Sequence, residues 1–155
     1  MGIEEFRNQV TVLLGDKAYE LRSKYIKKFV NTELEHYKKY IEVLNEYSDG
    51  LCYIGYLWDC LKNPIVIDFQ YIGEKVDKLD KVFVLWDIHT KDRIFIENYW
   101  MFGKDSVLSL EYKVLLNNLN YLPEDIYIFD KSYDWTLIIT HEYVNGKRWC
   151  LGVGF

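Results

Sequence analysis

The sequence has few of the features that separate one domain from another. Only two prolines and nine glycines occur in 155 residues, and no Pro/Gly/Ser-rich stretch divides the chain. A chain of this length suits one hydrophobic core, since domains mostly fall near roughly 100–150 residues. We therefore expect a single domain over residues 1–155.

Long hydrophobic runs are also missing. No apolar stretch reaches the roughly 18–20 residues that a membrane-spanning helix needs, and Glu4 and Glu5 stand where a secretory signal would be basic. The cysteines Cys52, Cys60 and Cys150 cannot all pair within the chain and contain no C-x-x-C motif, so neither a disulfide framework nor a zinc finger is indicated. We expect a cytoplasmic protein without membrane contact.

Acidic side chains outnumber basic ones in residues 51–155. The net charge is −5, and residues 51–155 carry eleven Lys and Arg against fifteen Asp and Glu. Nucleic-acid binding depends on Lys and Arg that release counterions from phosphates, so DNA and RNA are disfavoured as ligands. The same acidic field favours a basic protein partner.

The common catalytic and nucleotide-binding motifs are absent. The sequence has no G-x-x-x-x-G-K-[ST] loop, no G-x-G-x-x-G, no G-x-S-x-G and no H-E-x-x-H. These absences remove the most recognisable enzyme classes, and we expect no cofactor.

Apolar residues recur at helical spacing in the first third of the chain. The pattern predicts helices over residues 21–29 and 34–44 and a shorter one over 51–61. Thr32 and Glu35 form the T-x-x-E pattern of a capping box, which predicts that the helix breaks and restarts between the first two segments.

The second half changes to β-favouring runs. Residues 81–89, 125–130, 135–144 and 147–153 predict strands. With the N-terminal helices over them, they predict an α+β fold with a mainly antiparallel sheet of about four strands. Less distinct segments are a short extended piece at 65–69, an extended or irregular crossing at 93–100 and a helix at about 109–119.

Asn145-Gly146 separates the last two β-runs and predicts a two-residue type I′ hairpin. That turn would set Tyr143 opposite Arg148 and His141 opposite Cys150. A nucleophilic Cys150 with His141 as its base is then one chemical hypothesis, although free cysteines in strands are mostly inert core residues.

A divalent metal site is a second hypothesis. Asp87 and His89 lie two residues apart in a predicted strand and so point to one face, and His141 lies in another strand of the same sheet. Two imidazoles and a carboxylate are a suitable ligand set for a metal.

An acidic and tyrosine-rich surface is a third hypothesis. Asp130, Tyr133, Asp134 and Glu142 lie near the predicted strand ends. Tyr is suited to partner interfaces, and carboxylates would attract a basic partner, while Asp is also favoured in tight loops for its bonds to nearby amides. These four residues are the candidate partner-binding patch.

The segments Pro123-Glu-Asp-Ile-Tyr-Ile-Phe-Asp130 and Trp135-Thr-Leu-Ile-Ile-Thr-His-Glu142 resemble a group of small bacterial proteins of unknown function. Some of these are similar to immunity proteins of contact-dependent or polymorphic toxin systems. The resemblance covers about the last third of the chain and implies stoichiometric inhibition of a basic toxin domain, with no catalytic residues.

Three functions therefore follow from the sequence. The first is a protein-binding module of the immunity or antitoxin type. The second is a small metal-dependent enzyme that uses Asp87, His89 and His141, and the third is a structural or homo-oligomeric scaffold.

Overall fold

A computed structural model describes residues 2–93 and 101–155 of the chain. The helices are α1 (Ile3–Asn8), α2 (Gly15–Phe29), α3 (Glu35–Tyr40) and α4 (Tyr112–Asn117). Short 3₁₀ helices cover Leu57–Cys60, Phe69–Glu74 and Leu119–Tyr121. The strands are β1 (Thr11–Leu13), β2 (Asn45–Tyr47), β3 (Gly50–Cys52), β4 (Ile65–Asp68), β5 (Lys81–Trp86), β6 (Val107–Glu111), β7 (Ile126–Phe129), β8 (Thr136–Val144) and β9 (Lys147–Val153).

Within the described residues, seven strands form an antiparallel sheet in the order β1-β6-β5-β7-β8-β9-β4, and β2 pairs with β3 as a separate hairpin. The predicted α+β class with a mainly antiparallel sheet is confirmed. The sheet is larger than the predicted four strands, but those four are β5, β7, β8 and β9, and they lie side by side. The additional strands β1, β6 and β4 lie at the two sides of this group.

The central strands send alternate side chains to two cores, one on each face of the sheet. Val84 and Trp86 of β5 lie in the first core, whereas Leu85 lies in the second. The second core includes Tyr25 and Phe29 of α2, so α2 covers that face as predicted. Both faces are buried, which explains why these strands read as nearly continuous apolar runs.

Three predicted helices are wrong in part. The helix predicted over residues 34–44 ends at Tyr40. Residues 51–61 contain β3 and a 3₁₀ turn, because the Tyr53 N–H bonds to the Ile88 carbonyl and the Ile54 and Gly55 N–H groups bond to the Tyr40 carbonyl. Backbone donors committed to distant acceptors cannot form a helical ladder. The helix predicted at 109–119 begins only at Tyr112, because the preceding residues pair with β5 and β1 as β6.

The break between α2 and α3 lies where the sequence predicts it, but the capping box does not form. The N-cap of α3 is Leu34, and it has no side-chain cap. The turn is held instead by the Asn31 side chain, which accepts a hydrogen bond from the Glu33 N–H at 3.1 Å. This is a local side-chain turn that competes with capping.

The predicted hairpin between β8 and β9 is confirmed. Asn145 and Gly146 have φ of 53° and 78°, as a type I′ turn requires, and Tyr143 lies opposite Arg148. The register beyond it is wrong, because Cys150 pairs with Ile139 rather than with His141. β8 bulges between Ile139 and Tyr143, which moves the following pairs by two residues.

None of the helices in the described ranges has the length and apolar character of a bilayer-spanning helix. The extended or irregular segment predicted at 93–100 lies, apart from Arg93, outside the described residues.

Candidate functional site

A buried carboxylate lies directly after β5. Asp87 is 1% exposed, and the alternation of β5 places it on the same face as Leu85, beside the second core. Its Oδ1 accepts hydrogen bonds from the Tyr53 hydroxyl at 2.8 Å and the Leu57 N–H at 3.0 Å, and its Oδ2 accepts one from the Tyr127 hydroxyl at 2.7 Å. The carboxylate therefore joins β5 to β7 and to the loop after β3.

The electrostatics of this carboxylate follow from its burial. Burial raises the pKa of Asp87, while the charge of His89 and the three donors act in the opposite direction. Burial also raises the pKa of the Tyr53 and Tyr127 hydroxyls well above the usual tyrosine value, and the charge of Asp87 adds to that effect. Both hydroxyls therefore stay protonated and donate hydrogen bonds to Asp87.

His89 lies beside this network and is 3% exposed. Its Nε2 is 2.5 Å from the Gly55 carbonyl oxygen, which can only accept, so Nε2 carries the proton. The edges of two aromatic rings enclose the imidazole, with centroids at 5.5 Å for Tyr53 and 4.7 Å for Tyr56. A cavity of about 160 Å³ adjoins this ring and is lined by Tyr53, Ile54, Tyr56, His89, Thr90 and Arg93.

His141 also packs on Tyr56, with its ring centroid 5.1 Å from that of Tyr56. Its Nδ1 is 3.0 Å from both carboxylate oxygens of Asp125, and Asp125 also accepts a hydrogen bond from the Trp58 indole at 3.0 Å. A carboxylate immediately before β7 therefore orients both an imidazole and an indole at the surface.

Two further carboxylates adjoin this pair. Asp59 lies 3.6 Å from the His36 imidazole, and Glu142 is exposed. Burial raises the pKa of Asp59, and the charges of Glu142 and Asp125 add to the effect, while His36 and His141 oppose it. We call Tyr56, Trp58, Asp59, Asp125, His141 and Glu142 the acidic aromatic face.

One arginine lies near this face, since the Arg148 guanidinium donates hydrogen bonds to the carbonyl oxygens of Glu124 and Thr140, the neighbours of Asp125 and His141. In residues 2–93 and 101–155, no Lys or Arg forms an ion pair with Asp59, Asp125 or Glu142. The imidazoles of His36 and His141 are the groups within ion-pair distance of Asp59 and Asp125 among the described residues. The three carboxylates therefore repel one another without a directly paired Lys or Arg among the described residues.

The predicted metal ligands are not arranged as a ligand set. Asp87 and His89 both contact Tyr53, but Nε2 of His89 is bonded to Gly55, and His141 is turned toward Asp125. Over the part of the chain that the structure describes, no group of three or more His, Cys, Asp or Glu residues could hold a metal ion. The geometry gives the metal hypothesis no support.

The predicted partner-binding patch is spread over two places. Asp130, Tyr133 and Asp134 lie in the loop before β8, while Glu142 lies near its far end, and a strand rises about 3.3 Å per residue, so roughly 20 Å separate them. Asp130 caps its own loop by accepting hydrogen bonds from Ser132 and the Trp135 indole. Only Glu142 of the four belongs to the acidic aromatic face.

The candidate site residues chosen from the sequence do not include Tyr53, Trp58, Tyr127 or Asp125. One signal was available for the first and third of these. An aspartate within an apolar β-run must find donors when it is buried, and tyrosine is the commonest aromatic residue in this chain. No sequence signal identifies which tyrosines they are.

The thiols at Cys60 and Cys150 are expected to be inert in the folded protein. Burial raises the pKa of each to about 11, and the proposed base His141 does not lie opposite Cys150. At pH 8 their thiolate fraction, and hence their rate with a disulfide reagent, should be about 100-fold or more below that of free cysteine. Stopped-flow thiol titration of a Cys52→Ser variant, folded and in urea, measures this ratio. Equal rates in both states would contradict the prediction.

Compared with protein-family models, curated proteins and solved structures, the chain matches none of them.

Proposed function

We propose that this chain is a protein-binding module that neutralises a basic protein partner by covering it, in the manner of an immunity protein. The observation that carries the proposal is the acidic aromatic face, where Asp59, Asp125 and Glu142 adjoin Tyr56 and Trp58 without an ion-paired Lys or Arg among the described residues.

Such a face is costly in the free chain and favourable in a complex. Burial raises the pKa of Asp59, and the charges of Glu142 and Asp125 add to that rise. A Lys or Arg from a partner would offset the repulsion among these carboxylates. The Tyr56 and Trp58 rings, whose centroids are 5.3 Å apart, supply rigid contact area of the kind found at interface centres. The net charge of −5 would add long-range attraction for a basic protein.

The last third of the chain resembles small bacterial proteins of unknown function, some of which are similar to immunity proteins, and this resemblance supports a toxin domain as the partner. Nuclease-type toxin domains carry basic surfaces because their substrates are polyanions. An acidic face that occupies such a surface inhibits by exclusion and needs no chemistry of its own.

The test uses a toxin domain encoded beside this chain, purified in a catalytically inactive form. Calorimetric titration should give one-to-one binding that weakens as salt rises. The double substitution Asp59→Lys with Glu142→Lys should weaken binding by about 100-fold or more, since opposed charges replace attraction at two contacts.

A matched control has the same change in net charge. Glu46→Lys with Asp134→Lys alters two exposed carboxylates outside the face, and its affinity should stay within about threefold of the unmodified chain. Equal weakening by both double variants would mean that the attraction is general rather than local. Absence of binding by the unmodified chain would sink the proposal.

A further inference from the structure

A groove of opposite charge lies at the other end of β7, between α2 and the β7–β8 loop. It encloses about 790 Å³, and its walls include Tyr19, Lys24, Lys27, Lys28 and Tyr133. Asp125 precedes β7 while Tyr133 follows it, so this groove and the acidic aromatic face lie at opposite ends of that strand.

The aromatic wall of the groove is held in place. The Tyr133 backbone has a φ of 55°, a left-handed conformation that is uncommon for a residue with a side chain. Its ring packs on Phe129 with centroids 5.3 Å apart, and the Lys24 ammonium lies 4.6 Å from the ring centroid. Tyr19, in contrast, is 72% exposed and is available for contact.

The charge of the groove is unbalanced. None of the ammonium groups of Lys24, Lys27 and Lys28 forms an ion pair with a described residue, and Glu20 is the one carboxylate among the described lining residues. Lys27 and Lys28 lie in the last turn of α2, where their positive charges interact favourably with the negative end of the helix dipole. That effect accounts for neither Lys24 nor the exposed Tyr19.

We propose that this groove binds an acidic segment of a partner protein, with an apolar side chain against the exposed Tyr19 ring and carboxylates on Lys24 and Lys28. The two lysines are four residues apart in α2, about 6 Å along the helix axis. Carboxylates two residues apart in an extended peptide, or four apart in a helix, match that spacing. This surface is separate from the acidic aromatic face and does not depend on its function.

Charge complementarity selects this occupant. Three lysines and one glutamate give the groove a local positive charge that attracts carboxylates, although the whole protein carries a net charge of −5. Lysine stems supply apolar surface while their ammonium groups stay in water. An acidic peptide with one large apolar residue uses both properties of the groove.

The test uses the full chain and a fluorescein-labelled twelve-residue peptide of alternating Glu and Ser with a central Leu-Phe pair. Fluorescence anisotropy at low salt should show saturable binding. The double variant Lys24→Glu with Lys28→Glu should weaken it at least tenfold, and Tyr19→Ser about threefold, because charge and apolar contact are lost separately. All these positions are exposed, so circular dichroism should show unchanged folding.

The control Lys75→Glu with Lys78→Glu makes the same change in net charge at exposed positions outside the groove and should leave the affinity within about twofold. Equal weakening by this control would overturn the proposal, as would no binding of the peptide. Tighter binding of single-stranded RNA of uniform uridine than of the peptide, or sedimentation showing a dimer that the lysine variants abolish, would assign the groove to another occupant and overturn it as well. Retained peptide binding by the Asp59→Lys, Glu142→Lys variant separates this result from that of the proposed function.

Discussion

Replacing Asp87 with alanine is expected to lower the free energy of unfolding by about 3–5 kcal/mol. The substitution removes the acceptor for the Tyr53 hydroxyl, the Tyr127 hydroxyl and the Leu57 N–H. Each buried donor that is left without a partner costs about 1–3 kcal/mol, and the deleted charge recovers part of that sum because its own burial was unfavourable. Urea unfolding followed by far-ultraviolet circular dichroism measures the change.

Asp87→Asn separates the hydrogen bonds from the charge. The amide keeps one acceptor oxygen, so the loss should be about 1–3 kcal/mol. Burial raises the pKa of Asp87 above the ordinary value of 3.8, so the folded state retains this proton to higher pH than the unfolded chain. The stability that the protonated Asp87 carboxyl contributes is full at low pH and is lost as the pH rises through the pKa of Asp87 in the folded state.

The pH dependence therefore has a definite sign. The stability advantage of the unmodified chain over Asp87→Asn should shrink as pH increases from about 4 toward 7. An advantage that grows over this range would contradict the direction of the pKa shift. A loss below about 1 kcal/mol for Asp87→Ala would mean that the three donors find water, and that the carboxylate does not hold the loop to the sheet.

Trp86→Ala is expected to cost about 3–5 kcal/mol. Trp86 is 1% exposed and heads the largest fully buried side chains of the described residues. It lies in the first core, on the face opposite Asp87. Removal of the indole leaves a cavity that the sheet cannot fill without disturbing the pairing of β5 with β7.

Trp86→Phe separates the loss of the indole N–H from the loss of side-chain volume. The Trp86 indole N–H is buried and has no hydrogen-bond partner in the described part of the chain, so phenylalanine deletes an unsatisfied donor as well as some volume. Trp86→Phe should therefore lower the free energy of unfolding by less than half as much as Trp86→Ala does. Tyr19→Ala, at a position that is 72% exposed, should change stability by no more than about 0.5 kcal/mol. Equal losses for Phe and Ala at position 86 would show that the N–H is satisfied in solution.

Much of the sheet could be predicted because its signals are local. Alternation and β-propensity identify β5, β7, β8 and β9, and Asn145-Gly146 specifies the turn between the last two. β1 was missed because it contains only three residues. β6 was assigned to a helix because its apolar residues run directly into α4, and short apolar runs fit either element. The 51–61 segment was misread for the same reason.

The sites were less predictable than the sheet. The sequence indicated that Asp87 and His89 lie together and that acidic and aromatic residues serve a surface, but it placed Asp130, Tyr133 and Asp134 with Glu142. The strand β8 separates them, and lysines of α2 adjoin Tyr133. Residues that are near in sequence can thus lie at opposite ends of a strand, on surfaces of opposite charge.

By itself the sequence determined the strands and turn whose information lies within a few neighbouring residues, since backbone preferences and side-chain alternation act over that range. Only the tertiary structure decided the bulge in β8, the tyrosines that bond to Asp87, and the separation of acidic and basic surfaces along β7. Those features depend on which distant segments satisfy each buried donor and fill each core, and that outcome follows from packing the whole chain.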